Sequence, residues 1–238
     1  MTIISPQDRA LARIQPALRD HKIKPHHVEP IQIGASSLWR IHTDDEPVVW
    51  KAGPPEYAAR TRTAIRCARW LAEQGVPAVE VAPGSALYEG PDVCISMWRD
   101  LGEHRPASAR EMALALTDLH AQEVPDWMPR RDTAELALDD LDQVTWLAAK
   151  DLNDIRTLLN SEDRYARDAF DPAEDVVLHG DAWPGNFATC EDGVTRLLDL
   201  EGMCRGNRLY DLATTAVKAT VIGQYPPRLH HDTAAFYG

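Results

Sequence analysis

The chain has 238 residues, of which 44% are hydrophobic, and 37 acidic side chains against 25 basic ones give it a net charge of −12. This is the composition of an ordinary globular protein, long enough for one large domain or two lobes sharing a cleft, and its sign argues against nucleic acid as a partner, because phosphate-backbone binding runs on cationic side chains. No run approaches the roughly 18 apolar residues of a membrane span; the N-terminus lacks a basic stretch leading into an apolar one; and Cys67, Cys94, Cys190 and Cys204 show no close-spaced pair, so the reading is a cytoplasmic chain with reduced thiols and no membrane partner.

Ser5 followed by Pro6 is a hydroxyl cap and then a residue with a preset φ, and Leu11, Ile14 and Leu18 repeat at helical spacing, which predicts a helix over 6–20. From 27 to 52 short apolar runs alternate with the turn chemistry of "GASS" and "DDEP", the pattern of a three-stranded antiparallel meander. "EYAARTRTAIRCARWLAEQG" follows as a helix stopped by Gly75. "VEVAP" and "DVCISMW" read as two further strands, and "SAREMALALTDLHAQ" as a helix. From Asp132 a second, longer helical stretch opens on an Asp cap with Glu135 three places on, and carries Asp139, Asp140 and Asp142 on its wet side. "DVVLHG", "NFATC" and "TRLLDLE" then read as short strands, the last two joined by "EDG", before a helical "LYDLATTAVKATVIG". Strands give way to helices near residue 99, which sets the expected boundary between a 1–98 unit and a 99–238 unit.

The chemistry concentrates in "VVLHGDAWPGNF", residues 176–187, where an apolar strand runs into His179, Asp181 and Asn186. Loops carry function and strands carry packing, so polar groups at a strand end belong at a cleft edge. Asp181 and Asn186 stand on one loop, and Asp199 follows at the end of another strand. Magnesium takes hard oxygen ligands, often one or two carboxylates completed by water and substrate phosphates, and Asn186 with Asp199 suits that role. An isolated Asp has a pKa near 3.9, so Asp181 would be ionised at neutral pH and a weak base for an alcohol. Phosphoryl transfer asks for no stronger one, since its transition state is loose and the enzyme mainly positions the hydroxyl and neutralises charge.

The order His179, Asp181, Asn186, Asp199 resembles the H-x-D-x-x-x-x-N catalytic loop and metal-binding aspartate of the protein-kinase-like superfamily. "LHGDAWPGNF" and "LLDLEGMCRGNRLYDLA" are similar to its aminoglycoside phosphotransferase and choline kinase branch. The resemblance implies an α+β, bilobal protein-kinase-like fold, with a small antiparallel-sheet N-lobe crossed by one helix and a mainly helical C-lobe. It implies that Lys51 in "VVWKA" holds the α- and β-phosphates of ATP (or GTP). Gly34, Ser36 and Ser37 would lie in the loop over the nucleotide, and Met97 and Trp98, with Ser96, would form the hinge beside the base. Asp181 would orient the acceptor hydroxyl, Asn186 and Asp199 would hold Mg2+, His179 would brace the loop, and Asp211 would support it from below. The acceptor would be the hydroxyl of a small molecule, an aminoglycoside-like antibiotic being the first to try.

The pattern departs from the family in its helix, where no acid stands in "RTRTAIRCAR" to pair with Lys51; Glu56, about two turns earlier, is the one nearby substitute. That gap leaves a nucleotide-binding module without transfer as a rival from another class, beside a protein Ser/Thr kinase or autokinase and a metal-dependent phosphohydrolase. Read alone, the loop is a polar turn and Lys51 a solvated strand lysine. His26 and His27, like His230 and His231, are adjacent pairs without zinc spacing and read as surface residues. The acidic balance favours cationic ligands only locally, because salt screens over about 8 Å, and solubility alone accounts for it.

Overall fold

A computed structural model describes residues 5–34, 36–84, 86–131, 148–154, 156–157 and 174–222. The helix expected from Asp132, with Asp139, Asp140 and Asp142, lies outside the described residues, as do Trp146, His230 and His231. Ser5 opens α1 (Pro6–Asp20) by accepting the Asp8 N–H at 3.1 Å. The meander then forms as its turns predict: β1 (His27–Ile33), β2 (Ser37–His42) and β3 (Val48–Gly53). A short 3-10 turn at Pro55–Tyr57 leads into α2 (Ala58–Gln74), which Gly75 ends in the left-handed conformation at φ +72°, where glycine has no side chain to clash.

The five-stranded antiparallel sheet has the order β1-β2-β3-β5-β4, with β4 at Leu87–Glu89 and β5 at Cys94–Arg99. The fourth strand differs from expectation. "VEVAP" forms only isolated bridges, Val81 to Trp98 and, just before it, Ala78 to Leu197, while the strand forms at Leu87–Glu89. The backbone of 77–82 instead stitches elements together: Val79 N–H to Leu197 O, Ala82 N–H to Met97 O, and Glu80 O accepting from Arg99 N–H. An alternating apolar pattern reports that a segment is extended and half-buried, not that a ladder partner runs its full length.

The sheet has two faces, and strand alternation assigns them. Trp39, Ile41, Trp50, Ala52, Ile95 and Met97 turn toward α1 and pack with Ile14, Ala17 and Leu18. Leu38, Arg40, Val49, Lys51 and Trp98 turn the other way, into a cleft. Beneath it a larger core joins α2, through Ala64, Ala68 and Leu71, to α3 (Ala109–His120), through Met112, Leu116 and Leu119, and to Val177, Phe187 and Leu197. Full burial of such side chains stabilises by about 1.5–3 kcal/mol each, so this cluster holds the cleft floor to the sheet.

The chain leaves β5 and forms β6 (His104–Pro106), then α3, whose start is a capping box of Ser108 and Glu111. Farther along the described residues come β7 (Val176–Leu178), β8 (Phe187–Cys190), β9 (Thr195–Leu197), β10 (Cys204–Gly206) and α4 (Leu209–Ile222). β7 pairs with β10, and β8 pairs with both β6 and β9. β6 and β10 are too short for a period-2 signal to register in the sequence. Cys67, Cys94, Cys190 and Cys204 are free thiols; burial pushes Cys67 up to about 12 and Cys204 up to about 11. No helix among the described residues is long and apolar enough to cross a membrane.

Candidate active site

The loop from Leu178 to Phe187 connects β7 to β8, and its conformation follows from where its polar groups find partners. Gly180 has φ +78°, and a Cβ there would stand 1.9 Å from the Gly202 carbonyl oxygen, so only glycine allows the loop to pass the 3-10 turn Leu200–Gly202. The neighbouring amides converge on one buried carboxylate. Asp211 accepts the His179 N–H through Oδ2 and the Gly180 N–H through Oδ1, both at 2.9 Å. Its Oδ2 also meets His120 Nε2 at 2.9 Å, so α3 and α4 clamp the loop together. Thr215, one turn along α4, donates its hydroxyl to Ala182 O at 2.9 Å. Arg131 stacks on Tyr210, with 4.2 Å from guanidinium carbon to ring centroid, and donates to Gly180 O.

His179 is wholly buried. Its Nε2 lies 2.9 Å from the Leu198 carbonyl, which can only accept, and its Nδ1 receives the Asp181 N–H at 3.3 Å. That pattern fits the neutral Nε2–H tautomer. Burial lowers the imidazole pKa despite the nearby carboxylates of Asp211, Asp181 and Asp199. Its ring lies against Phe187, with centroids 5.1 Å apart. The side chain therefore links the loop to the end of β9, and does not itself face the cleft as a proton carrier.

Asp181 is held at both oxygens. Oδ2 accepts from Asn186 Nδ2 at 2.9 Å, and Oδ1 is paired with Lys218 Nζ. Asn186 also donates to Asp181 O at 2.9 Å, while its own carbonyl accepts the Leu198 N–H at 2.8 Å. With the amide nitrogen of Asn186 bound to Asp181, its Oδ1 is the atom left to offer a cation. Asp199 stands just after β9 in the left-handed region, φ +51°. Its Oδ1 is 2.8 Å from Lys51 Nζ.

Lys51 reaches from β3 across the cleft to two acids, Asp199 Oδ1 and Glu201 Oε1, each at 2.8 Å, and its side chain is 17% exposed. Burial opposes its charge, but the two carboxylates outweigh burial and raise its pKa. Glu56 does not supply the partner: it sits exposed in the 3-10 turn before α2. Both acids on Lys51 among the described residues come from the far side of the cleft, and Ala64 is the α2 residue that lines it.

The cleft encloses about 410 Å3. One part is apolar, with Leu38, Val49, Trp98, Leu101 and Leu200, and another is polar, with Lys51, Asn186, Asp199 and Glu201. Of the residues expected around a nucleotide, Lys51, Ser36 and Trp98 line it. Ser37 and Met97 do not bring their side chains there, for one physical reason. Strand parity turns both to the α1 face, where Ser37 Oγ accepts the Trp39 indole N–H at 2.9 Å and Met97 packs in the core. Ser96 Oγ accepts the Trp98 indole N–H at 2.8 Å. Gly34 sits in the exposed turn before β2 with an unstrained φ. At the cleft edge Arg40 Nε donates to Asp100 Oδ2 at 2.6 Å, tying β2 to the segment leaving β5.

Several site residues escaped the sequence reading: His120, Arg131, Thr215, Lys218 and the pair Arg40–Asp100. For α4 a signal existed, since Asp211, Thr215 and Lys218 fall at i, i+4 and i+7 and so share a helix face. Among the described residues no group of three or more His, Cys, Asp or Glu side chains is arranged to hold a metal. The donors present, one amide oxygen and one carboxylate, suit a hard cation that draws its other ligands from phosphate and water.

A small antiparallel sheet set over a helical half, with a lysine reaching across the cleft to an acid beyond a polar loop, defines a kinase-like bilobal fold. The chain belongs to the phosphotransferase enzyme family (APH), whose model matches residues 27–238, and it is thereby a phosphotransferase. No curated protein matches the chain in sequence. Among solved structures it is similar to the aminoglycoside phosphotransferase APH(3'')-Id of Streptomyces rimosus in complex with ADP and streptomycin (TM-score 0.69, 21% identity, 94% of this chain and 90% of that one). It is also similar to the choline kinase LicA of Streptococcus pneumoniae (TM-score 0.70, 16% identity, 96% and 80%). A third likeness is to a putative fructosamine-3-kinase of Haemophilus somnus (TM-score 0.63, 14% identity, 90% and 77%).

Proposed function

We propose that the protein transfers the γ-phosphoryl group of ATP to a hydroxyl of a small molecule, with Asp181 orienting that hydroxyl. The observation that carries the reading is the fixed carboxylate of Asp181, tied to Asn186 on a loop that also reaches Leu198, while Lys51 spans the cleft to Asp199. In the reaction the acceptor oxygen bonds to the γ-phosphorus, the bond from that phosphorus to the β,γ-bridging oxygen breaks, ADP leaves, and the hydroxyl proton passes to Asp181. Bound Mg2+ would neutralise charge on the phosphates, with Asn186 Oδ1 and the Asp199 carboxylate as its protein ligands. Lys51 would exchange part of its hold on Asp199 for phosphate oxygens, and the apolar part of the cleft suits a purine base. His179 and Asp211 act by holding the loop.

Small-molecule acceptors rank first because the family and the ADP and streptomycin bound by the Streptomyces rimosus enzyme both point that way. The test is ADP release and transfer of labelled phosphate with Mg-ATP and a panel of aminoglycosides, choline, sugars, sugar acids and nucleosides. Label moving to a panel member supports the reading. Label appearing on the protein itself would favour an autokinase, and nucleotide binding without transfer to any acceptor would defeat the enzyme assignment.

A further inference from the structure

α4 carries a single basic residue, Lys218, and it lies on the face that α4 turns to the catalytic loop. Its Nζ is paired with Asp181 Oδ1 and stands 5.1 Å from the centroid of the Trp183 ring on the same loop. The side chains of Lys218 and Asp181 are 30% and 37% exposed, so a ligand can reach the pair. An ammonium has three donors. Among the described residues one is engaged, by Asp181, and the aromatic face of Trp183 favours a cation at this place without using a second. Lys218 thus sets a positive charge, with donors to share, beside the one carboxylate that orients the acceptor.

We infer that Lys218 is a specificity-determining residue of the acceptor subsite: it selects a hydroxyl compound whose groups next to the transferred hydroxyl are anionic or uncharged, and disfavours one flanked by an ammonium. This inference rests on the kinase reading above and deepens it. The acceptor that fits best is a sugar or polyol bearing a carboxylate or phosphate close to the reacting hydroxyl, able to take the remaining Lys218 donors. Lys218 at the reacting centre acts on a neighbouring acceptor group more directly than the chain's distant acidic excess, whose field salt screens over about 8 Å. The net charge of −12 favours cationic ligands only near local acidic clusters, and the residue at the reacting centre points the other way. Selection of this kind works by placing a repulsive element against the wrong partner as much as an attractive one toward the right partner.

The experiment measures ADP release at saturating Mg-ATP for wild type, Lys218→Arg, Lys218→Met and Lys218→Glu. Acceptors are matched triplets with one skeleton and three charges: sugar, sugar acid or sugar phosphate, and amino sugar, with aminoglycosides and choline added. Wild type and Lys218→Arg are expected to give higher kcat/KM on neutral and anionic members than on ammonium-bearing ones. Lys218→Met narrows the gap, and Lys218→Glu shifts it toward cationic acceptors by about tenfold or more, while the KM for ATP stays constant across all four proteins. A wild-type preference for ammonium-bearing acceptors, or an equal loss on every acceptor in all variants, overturns the role of Lys218. Absence of ADP release from wild type with every acceptor counts against the kinase reading itself.

Discussion

The two walls of the cleft are built on different physical plans. On the catalytic-loop wall, polar groups are buried and satisfied within one stretch of chain: Asn186 by Asp181 five residues away, and Gly180 and His179 by Asp211 at 31 and 32 residues. On the sheet wall Lys51 finds its acid 148 residues along the chain, and strand parity alone decides which side chains enter the cleft. The loop wall is therefore fixed by a compact set of obligatory hydrogen bonds, whereas the sheet wall is fixed by register and leaves its polar partners free to come from either half. A buried donor without an acceptor costs about 1–3 kcal/mol, so the first wall tolerates few substitutions and the second can relocate a partner, as Glu201 in place of a helix acid illustrates.

Breaking the loop wall should have the largest effect. Asp211→Ala orphans the buried amides of His179 and Gly180 and strips His120 of its partner, and the expected loss is about 3 kcal/mol or more of stability in urea unfolding. Asp211→Asn keeps one acceptor oxygen and should lose about half as much. Equal midpoints for Asp211→Ala and wild type would show that the loop is held by something else.

The sheet wall should respond more mildly. Glu201→Gln removes one of two acids on Lys51, and a rise in KM for ATP of about tenfold or less is expected, since partly exposed pairs contribute little. Glu56→Gln should change nothing. Steady-state kinetics on both variants decide it: a larger effect at Glu56 than at Glu201 would restore the helix side as the partner of Lys51.

The smallest effect concerns pH. Burial lowers the His179 pKa below its ordinary value near 6.5. The unfolded chain therefore takes up a proton on acidification before the folded chain does, and the stability His179 contributes above that pH is lost as pH falls through the folded pKa. His179→Gln, which can still donate toward Leu198, should show a shallower fall in stability below pH about 6.5 and run parallel to wild type above it. A parallel fall at all pH values would mean that His179 takes up a proton as readily inside the fold as in the unfolded chain.

What was legible in the sequence follows the same division. The helices among the described residues and the meander could be read because caps, Gly75 and turn residues act over a few positions, and the loop could be read because Asp181 and Asn186, five residues apart, satisfy each other, whereas Asp211 reaches the loop amides of His179 and Gly180 from α4. "VEVAP" misled because an extended half-buried segment need not be a strand. The side-chain directions of Ser37 and Met97 were not legible because the motif gives their place in the chain, whereas the pleat gives their direction, and a shift of one residue reverses it. Glu201 and Lys218 stayed out of view as partners because an ion pair across a cleft leaves no periodic trace, although Lys218 does share a helix face with Asp211.

The most direct test of the central claim is Asp181→Asn, with phosphate transfer and Mg-nucleotide binding measured on the same preparation. The loss of a group that orients and deprotonates the acceptor should lower turnover by about 10²- to 10⁴-fold, with calorimetric binding of Mg-ATP kept within a few-fold of wild type. Full turnover in that variant would contradict the account.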